Sequence, residues 1–163
     1  MVKIYVMDTN VLIQNPQALL SFEDNQVILP VVVLEELDNL KKAEGEKGRN
    51  ARAAIRILEE LRLKGNILEG VRLEPHGIIR VEKNYIDVKL PEDLPEDKMD
   101  NRILKVCKGL AESSSEQVIL VTKDILLRIK AQIIGIRAED YTTEQVAEYE
   151  GQYKGRIEVY VPE

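Results

Sequence analysis

Two short segments of this chain place a threonine and a carboxylate directly after an apolar run. KIYVMDTN has Asp8 and Thr9 after its apolar residues, and VILVTKD has Thr122 and Asp124 after its own. In open parallel sheets the carboxyl ends of the strands meet at one edge, and ligands bind in the crevice there. If the two strands are neighbours, Asp8 and Asp124 converge at that edge.

Two further carboxylates border apolar helical faces. In ILPVVVLEELDNL, a turn of about 100° per residue places Glu36 beside the apolar face and Glu35 nearly opposite it. In DKMDNRILKVC, Asp100 shares a face with Ile103 and Leu104. The residues alone leave other roles open. Glu36 would also fit a buried ion pair with an arginine, and Asp100 would also fit the positive N-terminus of a helix.

Converging carboxylates predict a site for a divalent cation. They repel one another unless a cation neutralises them, and oxygen ligands select a hard ion such as Mg²⁺ or Mn²⁺. Ions of this kind support phosphodiester hydrolysis by activating water and stabilising phosphate oxygens. The neutral groups Thr9, Asn10 and Thr122 would orient the carboxylates or the attacking water, and Thr9 would equally cap the next helix.

Other catalytic groups are scarce in this sequence. The chain has 163 residues with one histidine, His76 in a turn-like EPHG, and one cysteine, Cys107 in an apolar helical pattern. We therefore expect neither a Ser/His/Asp or Cys/His arrangement nor a zinc site. The net charge of −6 opposes phosphate binding on average, but bound divalent ions would reverse the local sign at an acidic site.

Apolar runs and helical patterns alternate along the chain, which predicts an α/β fold. We expect a three-layer α/β/α sandwich around a mainly parallel central sheet. The predicted strands cover residues 3–7, 27–29, 118–122 and 134–137, and the predicted helices cover residues 31–42, 50–64, 98–111 and 125–133.

The pattern predicts one domain over residues 1–163. Residues 66–98 interrupt the alternation and read as a β-hairpin-like excursion, while the tail reads as a small helix after Thr142 or Thr143 and a last strand at 156–161. A content of 44% hydrophobic and 32% charged residues is typical of a soluble globular protein. With no apolar run near the roughly 20 residues that span a bilayer, and no secretory signal, we expect a cytoplasmic protein.

The order of the motifs resembles the PIN domain family. MDTN is followed by Pro30-x-x-Val33-x-x-Glu36-Leu37, then DNRIL, then VTKD. The resemblance implies an endoribonuclease that cleaves single-stranded RNA with one or two Mg²⁺ or Mn²⁺ ions. It also implies a set of metal-binding and catalytic residues, namely Asp8, Glu36, Asp100 and Asp124.

A narrower resemblance concerns the PIN domain that precedes the ATPase in PhoH-type proteins. LEELDNLKK, RNARAAIRILEEL, LVTKDILLRIKA and QYKG carry it. It implies an ATPase domain or partner, while the wider resemblance to PIN domains implies a homodimer or higher homo-oligomer. These 163 residues contain no G-x-x-x-x-G-K-[ST] segment that would cradle phosphates.

Basic residues near these motifs are candidates for binding RNA. Arg49, Arg52 and Arg56 form one helical stripe, and Lys123 and Arg128 lie close to Asp124 in sequence. They could hold phosphates beside the metals, or the stripe could be a solvated face or supply a partner for Glu36. With 4% aromatic residues, we expect backbone contacts and weak sequence selectivity.

Rival Mg²⁺-dependent classes fit less well. Haloacid-dehalogenase-like phosphatases need a second aspartate two residues after the first, where this chain has Asn10. Receiver domains need an acidic pair that MDTN does not supply. Two alternatives to a ribonuclease are kept: a non-catalytic RNA-binding or dimerisation module for a partner ATPase, and a Mg²⁺-dependent phosphatase.

Overall fold

The structure is a computed structural model that describes residues 2–22, 24–73, 77–83, 85 and 87–140. Strands and helices alternate through most of this length. The strands are β1 Lys3–Met7, β2 Gln26–Pro30, β3 Val71–Arg72, β4 Ile78–Glu82, β5 Gln117–Val121 and β6 Arg137–Glu139. The helices are α1 Thr9–Gln14, α2 Val31–Leu40, α3 Glu46–Arg62, α4 Met99–Ser113 and α5 Ile125–Ile133, with a 3₁₀ helix at Pro16–Leu20.

The strands form a six-stranded sheet in the order β3-β4-β2-β1-β5-β6. β3 and β4 pair antiparallel, and the other neighbouring pairs are parallel. Right-handed crossovers, the rule for parallel strands, place α1, α2 and α3 on one face and α4 and α5 on the other. The predicted three-layer α/β/α sandwich with a mainly parallel sheet is confirmed.

The central strands are apolar on both faces because helices cover both faces. In β1 and β5 every residue after the first is buried, which is the continuous apolar pattern expected of a sheet covered on two sides. The buried core runs through the sheet and into the helices packed on it. The carboxyl edge of the sheet is therefore a rigid base for the polar residues that follow these strands.

Several element boundaries differ from the prediction, and a glycine explains two of them. α3 begins at Glu46 instead of residue 50, because Gly48 lets the first turn approach the preceding loop. A Cβ at Gly48 would lie 1.8 Å from the carbonyl oxygen of Ala43. The last described strand is at Arg137–Glu139 rather than 134–137, because the N–H groups of residues 134 and 135 still complete the end of α5 and Gly135 turns the chain at φ +78°.

The predicted excursion is joined to the central sheet. β3 and β4 pair antiparallel as a hairpin would, but β4 also pairs in parallel with β2, so the hairpin forms one edge of the sheet. The short helix α1 was not among the predicted elements. The predicted tail helix and the strand at 156–161 lie outside the described residues. No helix of the described part is long and apolar enough to cross a membrane.

Candidate metal centre

The neighbouring strands β1 and β5 bring the two Thr/Asp segments together. Met7 is in register with Val121, so Asp8 and Thr122 follow their strands side by side, and the Asp8 N–H donates to Val121 O at 3.1 Å. From β1 the chain moves to β2 on one side, while β5 lies on the other. The site is therefore at the topological switch point, where open α/β sheets bind ligands.

Asp8 is the most buried carboxylate of this site, with 4% of the residue exposed. The Thr122 Oγ1 hydroxyl donates to its Oδ2 at 2.7 Å. Burial is the main cause that raises the pKa of Asp8 to about 6; the Thr122 hydrogen bond opposes this rise, and the charges of Glu36 and Asp124 add to it. The charges of Glu36 and Asp124 thus both act on Asp8.

Glu36 reaches this site from α2. Its Oε1 accepts a hydrogen bond from the Thr9 hydroxyl, and Thr9 is the buried first residue of α1. The Thr9 hydroxyl therefore orients the carboxylate of Glu36. The partner observed for Glu36 is a threonine, where the sequence also allowed an arginine.

Asp124 has a second role as the N-cap of α5. Its Oδ1 accepts from the N–H of Leu126 at 2.9 Å and of Leu127 at 3.4 Å. Its own N–H donates to Thr122 Oγ1 at 3.0 Å. The Thr122 hydroxyl therefore bridges the two acidic segments, since it donates to the carboxylate of Asp8 and accepts from the backbone of Asp124.

Asp100, the second residue of α4, is paired with a lysine. The Lys130 Nζ on α5 lies 3.0 Å from Asp100 Oδ2 and donates to Asn101 Oδ1 at 3.2 Å. Asn101 is fully buried, and its Nδ2 donates to Pro95 O at 2.7 Å. Sequence reasoning did not single out Asn101; the available signal was an amide on the apolar face that it shares with Leu104.

The oxygen donors of this site fit a hard divalent cation. Asp8, Glu36 and Asp124 are the residues that would hold one, and such a cation would relieve the repulsion that Glu36 and Asp124 exert on Asp8. Among the residues that the structure describes, no group of three or more His, Cys, Asp or Glu side chains is already arranged as a metal site.

The basic stripe lies on the outside of α3. Arg49, Arg52 and Arg56 are all exposed. At about 100° per residue they fall on the side of the helix opposite its buried residues. Arg52 Nη1 donates to Lys41 O at 2.6 Å, which ties the helix to the preceding loop.

The other predicted RNA contacts lie near β6. Lys123 pairs with Asp140 at 3.5 Å. Arg128 lines a groove of about 400 Å³ between α5 and β6. The Nε of Arg128 is buried and has no hydrogen-bond partner among the described residues.

Asn10, two residues after Asp8, lines a groove between α1 and the start of α3 that also contains the carboxylate of Glu46. This groove measures about 520 Å³, and its lining residues include Asn10 and Gln14 of α1 and Lys47 from the first turn of α3. The two helices are tied together because Asn50 Nδ2 donates to Ile13 O at 2.7 Å. Sequence reasoning did not select Gln14 or Lys47, since only the packing of α1 against α3 brings them together.

A sequence profile described as "PIN domain" matches residues 5–142 of this chain. The chain is 44% identical to Protein PhoH2 of Bacillus subtilis, over 99% of this chain and 38% of that protein. It is 39% identical to Protein PhoH2 of Thermobispora bispora, over 88% and 33%, and 38% identical to that of Mycolicibacterium smegmatis, over 89% and 33%. The chain therefore spans little more than a third of the length of these relatives.

A solved structure shares the fold at low sequence identity. A domain of a functionally unknown protein from Methanocaldococcus jannaschii superposes with a TM-score of 0.56 and 23% identity, over 86% of this chain and 92% of that one. The structure of VapBC2 from Rickettsia felis bound to a promoter DNA fragment is more distant, with a TM-score of 0.48 and 16% identity over 85% and 99%.

Proposed function

Because this chain belongs to the PIN domain family, we propose that it is a metal-dependent endoribonuclease that hydrolyses single-stranded RNA. One observation carries the proposal. Asp8 is buried at the switch point of the sheet, and the charges of Glu36 and Asp124 contribute to the rise of its pKa to about 6. A buried carboxylate crowded by two others is stabilised by a divalent cation.

In this proposal Asp8, Glu36 and Asp124 hold Mg²⁺ or Mn²⁺, and Asp100 is the fourth acidic residue. A divalent ion bound there would activate water and stabilise charge on the phosphate oxygens. Thr9 orients Glu36 through its hydroxyl. Thr122 fixes the position of Asp8, because its hydroxyl is itself held by the backbone N–H of Asp124.

The RNA strand would enter along the groove that Asn10 lines. Asn10 and Gln14 offer amide groups there, and Lys47 offers a positive charge to a phosphate, beside the negative charge of Glu46. The predicted contacts from Lys123, Arg128 and the stripe of Arg49, Arg52 and Arg56 remain part of the proposal. The stripe would hold more distant phosphates, since it lies on the outer side of α3.

The greater length of the relatives and the resemblance to PhoH-type proteins extend the proposal. This chain covers 38% of the Bacillus subtilis relative, and a resemblance to PhoH-type proteins implies an ATPase in the remaining length. We therefore propose that the unit acts with an ATPase domain or partner and as a homo-oligomer. Driven movement of RNA would then feed single strands to the acidic site.

A second candidate function is a non-catalytic RNA-binding or dimerisation module. The observation that favours it is that the described residues contain no ready-arranged group of metal ligands. A module of this kind would bind RNA without Mn²⁺. A phosphatase, by contrast, would bind Mn²⁺ and hydrolyse small phosphomonoesters instead of RNA.

Cleavage of an end-labelled, unstructured RNA tests the main proposal. We expect cleavage by the wild type with Mn²⁺, none with EDTA, and a loss of more than about 100-fold in Asp8→Asn, because losing a group that merely supports a metal ligand already costs about 10–100-fold. Asp38→Asn is the matched control, since Asp38 is an exposed carboxylate paired with Lys41 on the same helix as Glu36. It should cleave like the wild type.

The outcomes separate the candidates. Cleavage by Asp8→Asn at the wild-type rate would contradict the proposed site. An inactive wild type that binds RNA but no Mn²⁺ in calorimetry would favour the non-catalytic module. Hydrolysis of p-nitrophenyl phosphate without RNA cleavage would favour the phosphatase.

A further inference from the structure

β6 is the last strand at one edge of the sheet. It pairs with β5 on one side, and no strand of the described part of the chain pairs with its other side. The Thr122 N–H donates to Glu139 O, so the carbonyl of Glu139 faces β5. Because the backbone groups of successive strand residues alternate in direction, the N–H and C=O of Ala138 face away from β5. A strand edge of this kind is a template for pairing with another strand.

The side chains of β6 carry one charge of each sign on either side of a small residue. Arg137 and Glu139 share one face of the strand, with Arg137 Nε 3.0 Å from Glu139 Oε2. Ala138 lies between them and lines the groove between α5 and β6. If a second β6 pairs antiparallel with Ala138 opposite its own copy, Arg137 comes opposite the partner's Glu139, and Glu139 opposite the partner's Arg137. Opposite charges that face each other across an antiparallel pair are stabilising, so this edge is complementary to a second copy of itself.

Apolar side chains of α5 stand beside the same edge. Ile125 and Ile129 line the groove, and they are 61% and 49% exposed. A two-fold axis perpendicular to the sheet at Ala138 keeps the α5 helices of both copies on one face of the joined sheet. The exposed isoleucines of the two helices would then pack together, which removes apolar surface from water. Arg128 lines this groove too, so the dimer would use it at the interface instead of at RNA.

We infer that two copies of this chain form a dimer in which their β6 strands pair antiparallel about Ala138. The inference rests on the homo-oligomer in the proposed function and identifies its interface. Hydrogen bonds between the two Ala138 residues, the Arg137–Glu139 pairs across the axis and the apolar contact between the α5 helices would stabilise it. Both copies contribute the same residues, as in other two-fold symmetric dimers.

Light scattering coupled to gel filtration tests the inference on the 163-residue chain. We expect the wild type to have the mass of two chains of 18.6 kDa. Arg137→Glu should halve this mass, because the new carboxylate would lie opposite the partner's Glu139. Arg62→Glu is the matched control, since the side chain of Arg62 is 60% exposed in its pair with Glu59 on α3, against 62% for Arg137. The control should keep the wild-type mass.

A mixture of two variants separates pairing between chains from the ion pair within a chain. Glu139→Arg should also be monomeric, because the positive charges of one copy would face those of the other. Neither variant keeps an ion pair between positions 137 and 139 of its own strand. An equal mixture of Arg137→Glu and Glu139→Arg should nevertheless form a dimer with one chain of each kind, since every charge then faces its opposite across the axis. Monomers caused by misfolding would not recover on mixing.

Three results would overturn the inference: a wild-type mass other than two chains, an unchanged mass in Arg137→Glu, or a mixture that stays monomeric. A monomeric wild type would leave the edge of β6 to another strand, such as the one predicted at residues 156–161.

The failure of the inference is distinguishable from failure of the nuclease. A monomeric wild type that cleaves RNA would remove the interface and the homo-oligomer and leave the acidic site intact. A dimeric wild type that does not cleave RNA, but behaves as expected in the mixture, would retain the interface and remove the nuclease.

Discussion

At the scale of single residues, Thr122 links the two acidic segments by hydrogen bonds. Its hydroxyl donates to Asp8 and accepts from the N–H of Asp124, so both of its hydrogen-bonding directions are used in a fully buried position. The bond to Asp8 favours the ionised carboxylate and lowers the pKa that burial raises. One small side chain therefore keeps a buried carboxylate closer to its charged form.

Removing this hydroxyl should destabilise the metal-free protein. Thr122→Val keeps the shape but leaves the buried Oδ2 of Asp8 and the half-buried N–H of Asp124 without their partner, which should lower the free energy of urea unfolding by about 1–3 kcal/mol. The pKa of Asp8 should rise further, measured by NMR titration of the carboxyl carbon. Thr122→Ser retains the hydroxyl and is the control. An unchanged Asp8 pKa in the valine variant would contradict this role.

The pH dependence of stability should report the ionisation of Asp8. The folded protein holds this proton up to about pH 6, whereas the unfolded chain releases it near the ordinary pKa of 3.8. The stabilisation from the bound proton is therefore complete below the unfolded value and is lost as the pH rises towards 6. Without metal, the free energy of unfolding of Asp8→Asn should exceed that of the wild type by about 2–3 kcal/mol near pH 8. Near pH 4 the two proteins should be equally stable.

Urea unfolding in EDTA at the two pH values measures this difference. Near neutral pH, added Mn²⁺ should make the wild type more stable than Asp8→Asn, because an ion that binds only the folded wild type stabilises it. Equal differences between variant and wild type at both pH values would contradict the raised pKa.

At the scale of elements, the N-cap residue of α5 has two roles. Asp124 caps the helix through Leu126 and Leu127, and it adds charge to the site. A cap requires only a side-chain oxygen, for which asparagine is as good as aspartate. A metal ligand in an acidic cluster requires the negative charge. The two duties are therefore separable by substitution.

Asp124→Asn should be as stable as the wild type but bind Mn²⁺ more weakly. Asp124→Ala should be less stable and should also bind Mn²⁺ more weakly. The alanine variant should be less stable by about 0.5–2 kcal/mol, because the first N–H groups of α5 lose their acceptor. Thermal unfolding and calorimetry measure the two effects on the same samples. Mn²⁺ binding of wild-type strength in Asp124→Asn would exclude Asp124 as a ligand.

At the scale of the whole molecule, α5 also presents an apolar surface. Four of its large side chains are 49–65% exposed, and three recur every four residues along one side: the set is Ile125, Leu126, Ile129 and Ile133. The helix lies at the β5–β6 end of the sheet. A contiguous exposed apolar stripe of this kind is typical of a surface that contacts another protein.

We expect this stripe to contribute to the predicted homo-oligomer. Ile129→Asp should reduce the wild-type assembly to monomers in light scattering coupled to gel filtration, because a charge buried in an apolar interface is strongly unfavourable. Leu63→Asp is the control, since Leu63 is 74% exposed next to the end of α3 and away from α5. A monomeric wild type, or an Ile129→Asp variant with unchanged mass, would contradict the expectation.

The local pattern of the sequence determined the fold class. Apolar runs bounded by polar residues predicted β1, and the 3.6-residue periodicity predicted α5 at its observed bounds. It also selected Asp8 and Asp124, because a carboxylate within three residues of the end of a buried strand is visible without knowing what surrounds it. Boundaries failed where backbone freedom decided them, as at Gly48 and Gly135.

Only the tertiary structure decided which groups meet. Thr122 and Asp8 are 114 positions apart, and Lys130 and Asp100 are 30 apart, so no periodicity within one element relates them. The strand order places β1 beside β5, and the packing of the chain brings Lys130 of α5 to the start of α4. Sequence determined the residues available for chemistry, and the folded chain determined their partners, because hydrogen bonds and charges act through space over a few ångströms.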